Sequence, residues 1–366
     1  MKQSTVKNIY LLTFLLALLT PAIGSFKQLS GVISNQERRT LSAMPNIPKN
    51  QQQIKLWPKR FDAYFKDNFA FRDVLLNGFY RLKYVLRDAS GTDVIYGKEP
   101  GWLFYNEPSS DPIGDYRNVN RFSNEQLAQF VANLQLKQQW LKKKGVEYLY
   151  VLAPSKHEIY AEYLPDYIQP INQINFKTQL KEELAKHPEI NYLDLTDAII
   201  KAKKTHLLYF KGDTHWNYYA GNLAQYEITK TINKLLPEKQ LAPKLWPLNA
   251  FKFQWGHQGD LASILRIGPY FEEPLDKPDF DVCANVDYML SLSSNSKYST
   301  HCPNNSINAL VFHDSFFNLI QPYLSSQFGK VQFIKKTFDL KETTQYLSSK
   351  SVDIVIEQRV DRFLPQ

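Results

Sequence analysis

The 366-residue chain has no internal repeat and no low-complexity segment. At 43% hydrophobic and 22% charged residues it has the make-up of a folded globular protein rather than a disordered one. It has no H-E-x-x-H pair of histidines, so a zincin-type metal site has no sequence support. It has no G-x-S-x-G elbow, which removes the usual mark of an α/β-hydrolase nucleophile. It has no nucleic-acid-binding motif. The formal charge of +8 therefore reads as solvated element ends, in the runs Lys142-Lys143-Lys144, Lys201 to Lys204 and Lys335-Lys336, and no nucleic-acid partner is expected. No apolar stretch reaches the roughly 20 residues that a membrane-spanning helix needs. Cysteine is nearly absent, with two residues, Cys283 and Cys302.

What is present begins at the N-terminus. Lys2 and Lys7 precede an apolar run from Ile9 to Leu19, then Pro21 and the small residues around Ala22-Ile23-Gly24. That is the layout of a secretory signal, residues 1–24, cleaved or kept as an anchor, and either form exports the rest of the chain. In an oxidising compartment the isolated pair Cys283 and Cys302 is expected to form a disulfide closing the polar loop between them.

Residues 25–90 read as an N-terminal helical extension. Phe61, Tyr64, Phe65, Phe69, Val74, Leu75, Phe79 and Leu82 recur at helical spacing, which predicts one or two amphipathic helices ending near Ser90-Gly91. From residue 91 to 366 the pattern alternates. Two short strands flank a turn at Glu99-Pro100-Gly101. Ser123 caps a helix that Gly145 stops. "VEYLYVLAP", "INYLDL", "INALVFHD", "KVQFIK" and "SVDIVIEQ" read as strands. Helices are expected around 173–186, from after Trp216 to about Leu236, over "FFNLIQPYLSSQFG" and over "LKETTQYLSSK". Strand and helix in this rhythm predict an α/β layered domain with a mainly parallel sheet flanked by helices.

Ligands in such folds bind where strands end and helices begin. Three polar clusters fall there: Asp213 and His215, "HDSF" with Asp314 and Ser315, and "APSKHEIY" with Lys156. A serine hydroxyl becomes a nucleophile when a histidine takes its proton, and a carboxylate on the other ring nitrogen orients that histidine. Asp213 and His215 are two apart, so an extended segment would send both side chains to one side. Ser315, 100 positions later, would sit at a helix start, where free N–H groups and the helix dipole favour an oxyanion. Lys156, Asp314 and Trp216 are candidate substrate contacts. Trp216 suits stacking on a sugar ring and packing under the following helix equally. The competing reading is a metal site from Asp213, His215, His257 and His313; the spacing favours the relay, with no metal and no cofactor.

At these residues the chain resembles a family. "GDTHWNYYAG" is similar to the D-x-H-W signature of the AlgJ/AlgX-like alginate O-acetylation proteins, an SGNH-hydrolase-like branch. "DNFAFRD", "GKEPGWLFY", "APSKHEIYAEYLP", "GDLASIL", "HDSFFNLIQPYL" and "DIVIEQRVDRFL" follow the same pattern in the same order, from about residue 60 to the end. The resemblance implies an SGNH-hydrolase-like domain over 91–366, located in the periplasm, secreted or anchored to the inner membrane. It implies transfer of acetyl groups to exopolysaccharide hydroxyls, with Ser315 as nucleophile, His215 as base and Asp213 as its orienter. A polysaccharide acceptor and a membrane-bound acetyl-donating O-acyltransferase are the implied partners. Two departures from ordinary SGNH hydrolases stand out. The serine follows the Asp-x-His pair instead of preceding it, and "HDSF" lacks the glycine of the usual G-D-S. Two alternatives accompany this reading: a deacetylase using the same triad with water as acceptor, and a non-catalytic polysaccharide-binding scaffold of a secretion complex.

Overall fold

The computed structural model describes residues 7–15, 33–34, 39–69, 72–279 and 297–364. The chain divides into two compact units, Met1–Asp88 and Ala89–Gln366. In the first, residues 7–15 are helical. Among the described residues no helix is long and apolar enough to cross a membrane. The expected cleavage residues Ala22 to Gly24 lie outside the described residues. Two helices follow, Gln51–Asn68 and Arg72–Val85. Asn50 caps the first by accepting from the Gln53 amide. Trp57, Phe61, Phe65 and Phe69, four residues apart, run down one side of it as a ladder of ring contacts.

The second unit begins with the expected pair of short strands, Val94–Tyr96 and Leu103–Tyr105, paired antiparallel. The alternating elements follow: α1 (Asn124–Lys142), β1 (Glu147–Ala153), α2 (Phe176–Leu184), β2 (Tyr192–Asp194), α3 (Thr196–Ala202), α4 (Tyr218–Leu235), β3 (Lys297–His301), β4 (Asn308–Phe312), β5 (Lys330–Ile334), α5 (Leu340–Ser349) and β6 (Ile354–Val360). The six strands form one sheet in the order β3-β5-β4-β6-β1-β2. All pairings are parallel except β3 against β5. The edge strand β3 occupies the last five residues of the segment expected to be a polar loop. Its companion residues from 280 to 296, with Cys283 among them, lie outside the described residues. Cys302 is buried and disulfide-bonded.

The sheet is covered on both faces, and the strand residues divide accordingly by alternation. Leu149, Val151, Ala153, Ala309, Val311, Ile354 and Ile356 face α3 and α4, packing on Ile199, Ala220, Ala224, Ile228 and Ile232. Tyr148, Tyr150, Leu152, Leu310, Phe312 and Val355 face α1 and α2, meeting Val131, Leu134, Leu141, Phe176 and Leu180. Burying each such side chain contributes roughly 1.5–3 kcal/mol, so this two-sided core holds the strand ends rigidly. Ser155, Asp314 and Asp361 all follow the C-terminal ends of parallel strands, which gathers three loops at one edge of the sheet.

Candidate active site

The Asp213–His215 segment is not the short strand expected. It is a bent loop, closed where Tyr209 and Trp216 pair in an isolated antiparallel bridge just before α4. Its backbone polar groups cannot bond one another in a ladder, so side chains from elsewhere satisfy them. The Lys156 ammonium donates to the carbonyls of Phe210 (3.1 Å), Lys211 (2.9 Å) and Asp213 (2.5 Å). The Glu273 carboxylate accepts from the amides of Lys211 (2.7 Å) and Gly212 (2.9 Å). The Asp260 carboxylate accepts from the Thr214 amide (2.7 Å) and hydroxyl (2.5 Å). Lys156 is 2% exposed, and burial lowers its pKa to about 8 against the opposing charges of Glu273, Asp213 and Asp260.

Within this loop both oxygens of Asp213 are saturated. Oδ1 accepts from His215 Nδ1 (2.6 Å) and from the His215 amide (2.9 Å). Oδ2 accepts from the Asp260 amide (3.1 Å) and from His257 Nε2 (3.2 Å). The other side of the His215 ring faces Ser315, with Nε2 2.7 Å from Oγ. Because Asp213 accepts the Nδ1 proton, Nε2 presents a lone pair and the Ser315 hydroxyl donates to it. Burial tends to raise the Asp213 pKa, but the hydrogen bonds from His215 and His257 outweigh it and hold the carboxyl well below its ordinary value. Burial lowers the pKa of His215, yet the bond to Asp213 and the charges of Asp213 and Asp260 prevail over it and over the opposing charge of Arg362, so the imidazole titrates above its ordinary value. The arrangement can carry a proton from Ser315 Oγ to His215 while a fixed negative charge stabilises the resulting imidazolium.

Ser315 leaves the end of β4 on a 3-10 turn, Ser315–Leu319, followed by a short helix Gln321–Ser325. The single helix expected over "FFNLIQPYLSSQFG" is thus broken: Pro322 suits the first turn of the second piece and cannot lie inside a longer one. A five-residue 3-10 turn offers little dipole. The Phe316 amide is already taken by Asp314 Oδ1 (2.9 Å) and the Phe317 amide by the Asp314 carbonyl. Among the described residues neither the Ser315 amide nor the Asp314 amide is shown with an acceptor.

Three residues offered as substrate contacts have partners within the protein. Trp216 is fully buried; its indole N–H donates to the Phe316 carbonyl (2.9 Å), and its ring packs on Phe316 and Tyr209. It is a strut that ties the Asp213–His215 loop to the Ser315 turn, and no sugar can reach it. Lys156 is spent on the loop carbonyls. Asp314 is spent on the Phe316 amide and, through Oδ2, on the Val360 amide (2.6 Å), which fixes the Ser315 turn to β6. Of the metal-site candidates, His313 is buried apart, among Tyr298, Phe317 and Phe333, and burial lowers its pKa to about 4. Asp213, His215 and Asp260 each offer one ligand atom within 4.8 Å of the others. Asp213 Oδ1 and His215 Nδ1 are bonded to each other, and Asp213 Oδ2 accepts from the Asp260 amide and His257.

Sequence reasoning missed the parts played by His257, Asp260 and Glu273. The first two sit in or beside "GDLASIL", a stretch with chemistry-bearing residues but no chemical pairing visible along the chain. Their partners lie more than 40 positions away.

The family model described as "SGNH hydrolase-like domain, acetyltransferase AlgX" matches residues 94–306. A probable alginate O-acetylase AlgJ of Pseudomonas fluorescens is 23% identical over 280 residues, covering 75% of this chain and 65% of that protein. A probable alginate O-acetylase AlgJ of Azotobacter vinelandii is 24% identical over 277 residues, covering 75% and 65%. The chain thus spans just under two thirds of the length of these relatives. Among solved structures, Bacillus cereus PatB1 superimposes with a TM-score of 0.51 at 17% identity, covering 73% of this chain and 96% of that one; it shares the fold.

Proposed function

The chain belongs to the SGNH hydrolase-like acetyltransferase AlgX family, and from that premise we propose that it is an exported, periplasmic O-acetyltransferase acting on a polysaccharide through an acyl-serine. The observation that carries this reading is the unbroken line Ser315 Oγ, His215 Nε2, His215 Nδ1, Asp213 Oδ1, with links of 2.7 Å and 2.6 Å. Ser315 Oγ attacks the carbonyl carbon of an acetyl donor and its proton passes to His215 Nε2. The bond to the donor's leaving group breaks, and that group takes the proton from His215. A sugar hydroxyl then attacks the acetyl-serine, giving its proton to His215. The ester bond to Oγ breaks and the serine recovers a proton from the imidazolium. Asp213 holds the ring with Nδ1–H toward itself, so that Nε2 is the basic atom, and its charge stabilises the protonated ring in both halves. The Ser315 amide is an available donor to the developing oxyanion. A membrane-bound O-acyltransferase is the proposed source of the acetyl group.

Incubation with an activated acetate ester and an oligosaccharide, read by mass spectrometry, tests this. The expected result is acetate gained on the sugar, abolished in Ser315→Ala with the fold unchanged. Loss of acetate from a pre-acetylated sugar with no gain under any donor would make the protein a deacetylase. No acetate movement in either direction would leave a binding scaffold.

A further inference from the structure

The ribbon that supplies His257 and Glu273 has a second face with no role in the relay. Strand Trp255–His257 pairs antiparallel with Glu273–Pro274, with Trp255 opposite Pro274, His257 opposite Glu273 and a shift of register between them. In a regular strand Trp255 and His257, two apart, would point the same way. Gly256, at φ +113 in the region that disfavours side chains, makes the bulge that separates them. His257 turns inward, its ring tilted by 32° against Phe210 with centroids 3.9 Å apart and Nε2 on Asp213. Glu273 turns inward as well and is buried. Trp255 turns outward and is 63% exposed, beside Phe253 at 64% and an exposed Pro274. The two aromatic rings lie 6.3 Å apart at centroid with a 37° tilt, so they present adjoining faces.

We propose that Trp255 and Phe253 form a stacking platform for a sugar ring of the acceptor polysaccharide. This rests on the transferase reading of the Ser315 site. An aromatic face left in water loses burial free energy that a partner would restore. The apolar C–H face of a pyranose matches a flat ring in shape, and the indole N–H remains available to a hydroxyl. The platform lies on the same short ribbon as a support of the relay: one bulge separates Trp255 from His257, whose Nε2 donates to Asp213. A chain lying across the outer face of the ribbon is therefore held by the same short element that orders the base. Trp216 cannot serve this purpose, because it is buried.

The test separates acyl-enzyme formation from acceptor binding. Trp255→Ala and Phe253→Ala should each raise the KM for an oligosaccharide acceptor by about tenfold, the loss of roughly one stacking contact. Hydrolysis of a small activated acetate, which needs no sugar, should stay at the wild-type rate. Trp255→Phe should restore most of the affinity. Calorimetry on Ser315→Ala with the unreacted oligosaccharide reads binding without turnover, and there too Trp255→Ala should weaken it. An unchanged KM and unchanged binding enthalpy in both alanine variants would overturn the platform. A variant that instead alters the sedimentation state, with sugar binding intact, would also overturn it and make the face a protein contact. Trp255-dependent binding in a protein that never forms an acyl-enzyme would uphold the platform while removing the transferase reading.

Discussion

Replacing Asp213 by asparagine keeps the size of the side chain and removes its charge and half of its acceptor capacity. Asp213 now accepts four N–H bonds, two on each oxygen. An amide offers one oxygen and one NH2 group, so either orientation turns donors against donors. With the oxygen toward His215, the NH2 group meets the Asp260 amide and His257. With the oxygen reversed, the NH2 group meets His215, its amide is left unpaired, and Nδ1 must accept. The ring then carries its proton on Nε2, facing Ser315, and cannot remove the serine's proton. One or two buried donors left unpaired cost about 1–3 kcal/mol each, so a stability loss of roughly 2–4 kcal/mol is expected. The loss of the basic tautomer and of the charge behind it should lower kcat by on the order of 10⁴, or about 5.5 kcal/mol of barrier. Hydrolysis of an activated acetate at saturating substrate reads the rate, and thermal unfolding followed by circular dichroism reads stability. An Asp213→Asn protein with activity within tenfold of wild type would refute the reasoning, because it would show that His215 needs no orienting carboxylate.

Further expectations follow from the same geometry. The His215 pKa lies above its ordinary value, and the base works only when neutral, so activity should rise with pH along an acid limb that sits above the ordinary histidine range. Asp260→Asn removes one of the charges that raises it, and the acid limb should move to lower pH; a limb that stays put or moves up would contradict the assignment. The sign for stability is the reverse: the folded protein favours protonated His215, so this contribution is present at low pH and fades as pH rises through the folded pKa. Gly221, in the first turns of α4, would place an added Cβ 2.1 Å from the Leu319 carbonyl oxygen, and the colliding atoms are backbone. Gly221→Ala should push the Ser315 turn away from the helix that follows His215, lowering kcat by about 10² and stability by about 1–3 kcal/mol; wild-type kinetics in this variant would show that the two elements are not rigidly spaced.

Much of the fold is legible in the sequence because it is written in local terms. Ser123 and Gln126 form a capping box, and Gly145 marks the stop, so α1 is readable to within a few residues. The apolar strands β1, β4 and β6 are continuous because they are covered on both faces. The edge strand β3 carries no such mark: "KYSTH" is polar, has one antiparallel neighbour, and follows a segment with no pattern of its own. The broken helix after Ser315 carried its signal openly in Pro322, yet the apolar spacing around it suggested one element. In the site, the types and order of Asp213, His215 and Ser315 could be read along the chain, while the work of Lys156, Asp260, Glu273 and His257 could not. Those side chains serve a loop far away in sequence, and only tertiary structure brings an ammonium to three carbonyls or a carboxylate to two amides. The Trp216 of the D-x-H-W stretch shows the same limit. Its neighbours suited a sugar contact and packing under the helix equally, and burial with the bond to the Phe316 carbonyl decides for packing, as a brace between the loop and the turn.

The account's central claim is that Ser315 carries the acetyl group, and intact-protein mass spectrometry after brief exposure to an activated acetate ester tests it most directly. The expected result is a single acetyl added to the wild-type protein, mapped by peptide sequencing to Ser315, absent in Ser315→Ala and greatly slowed in His215→Ala. Acetyl found on another residue, or formed equally well without His215, would contradict it.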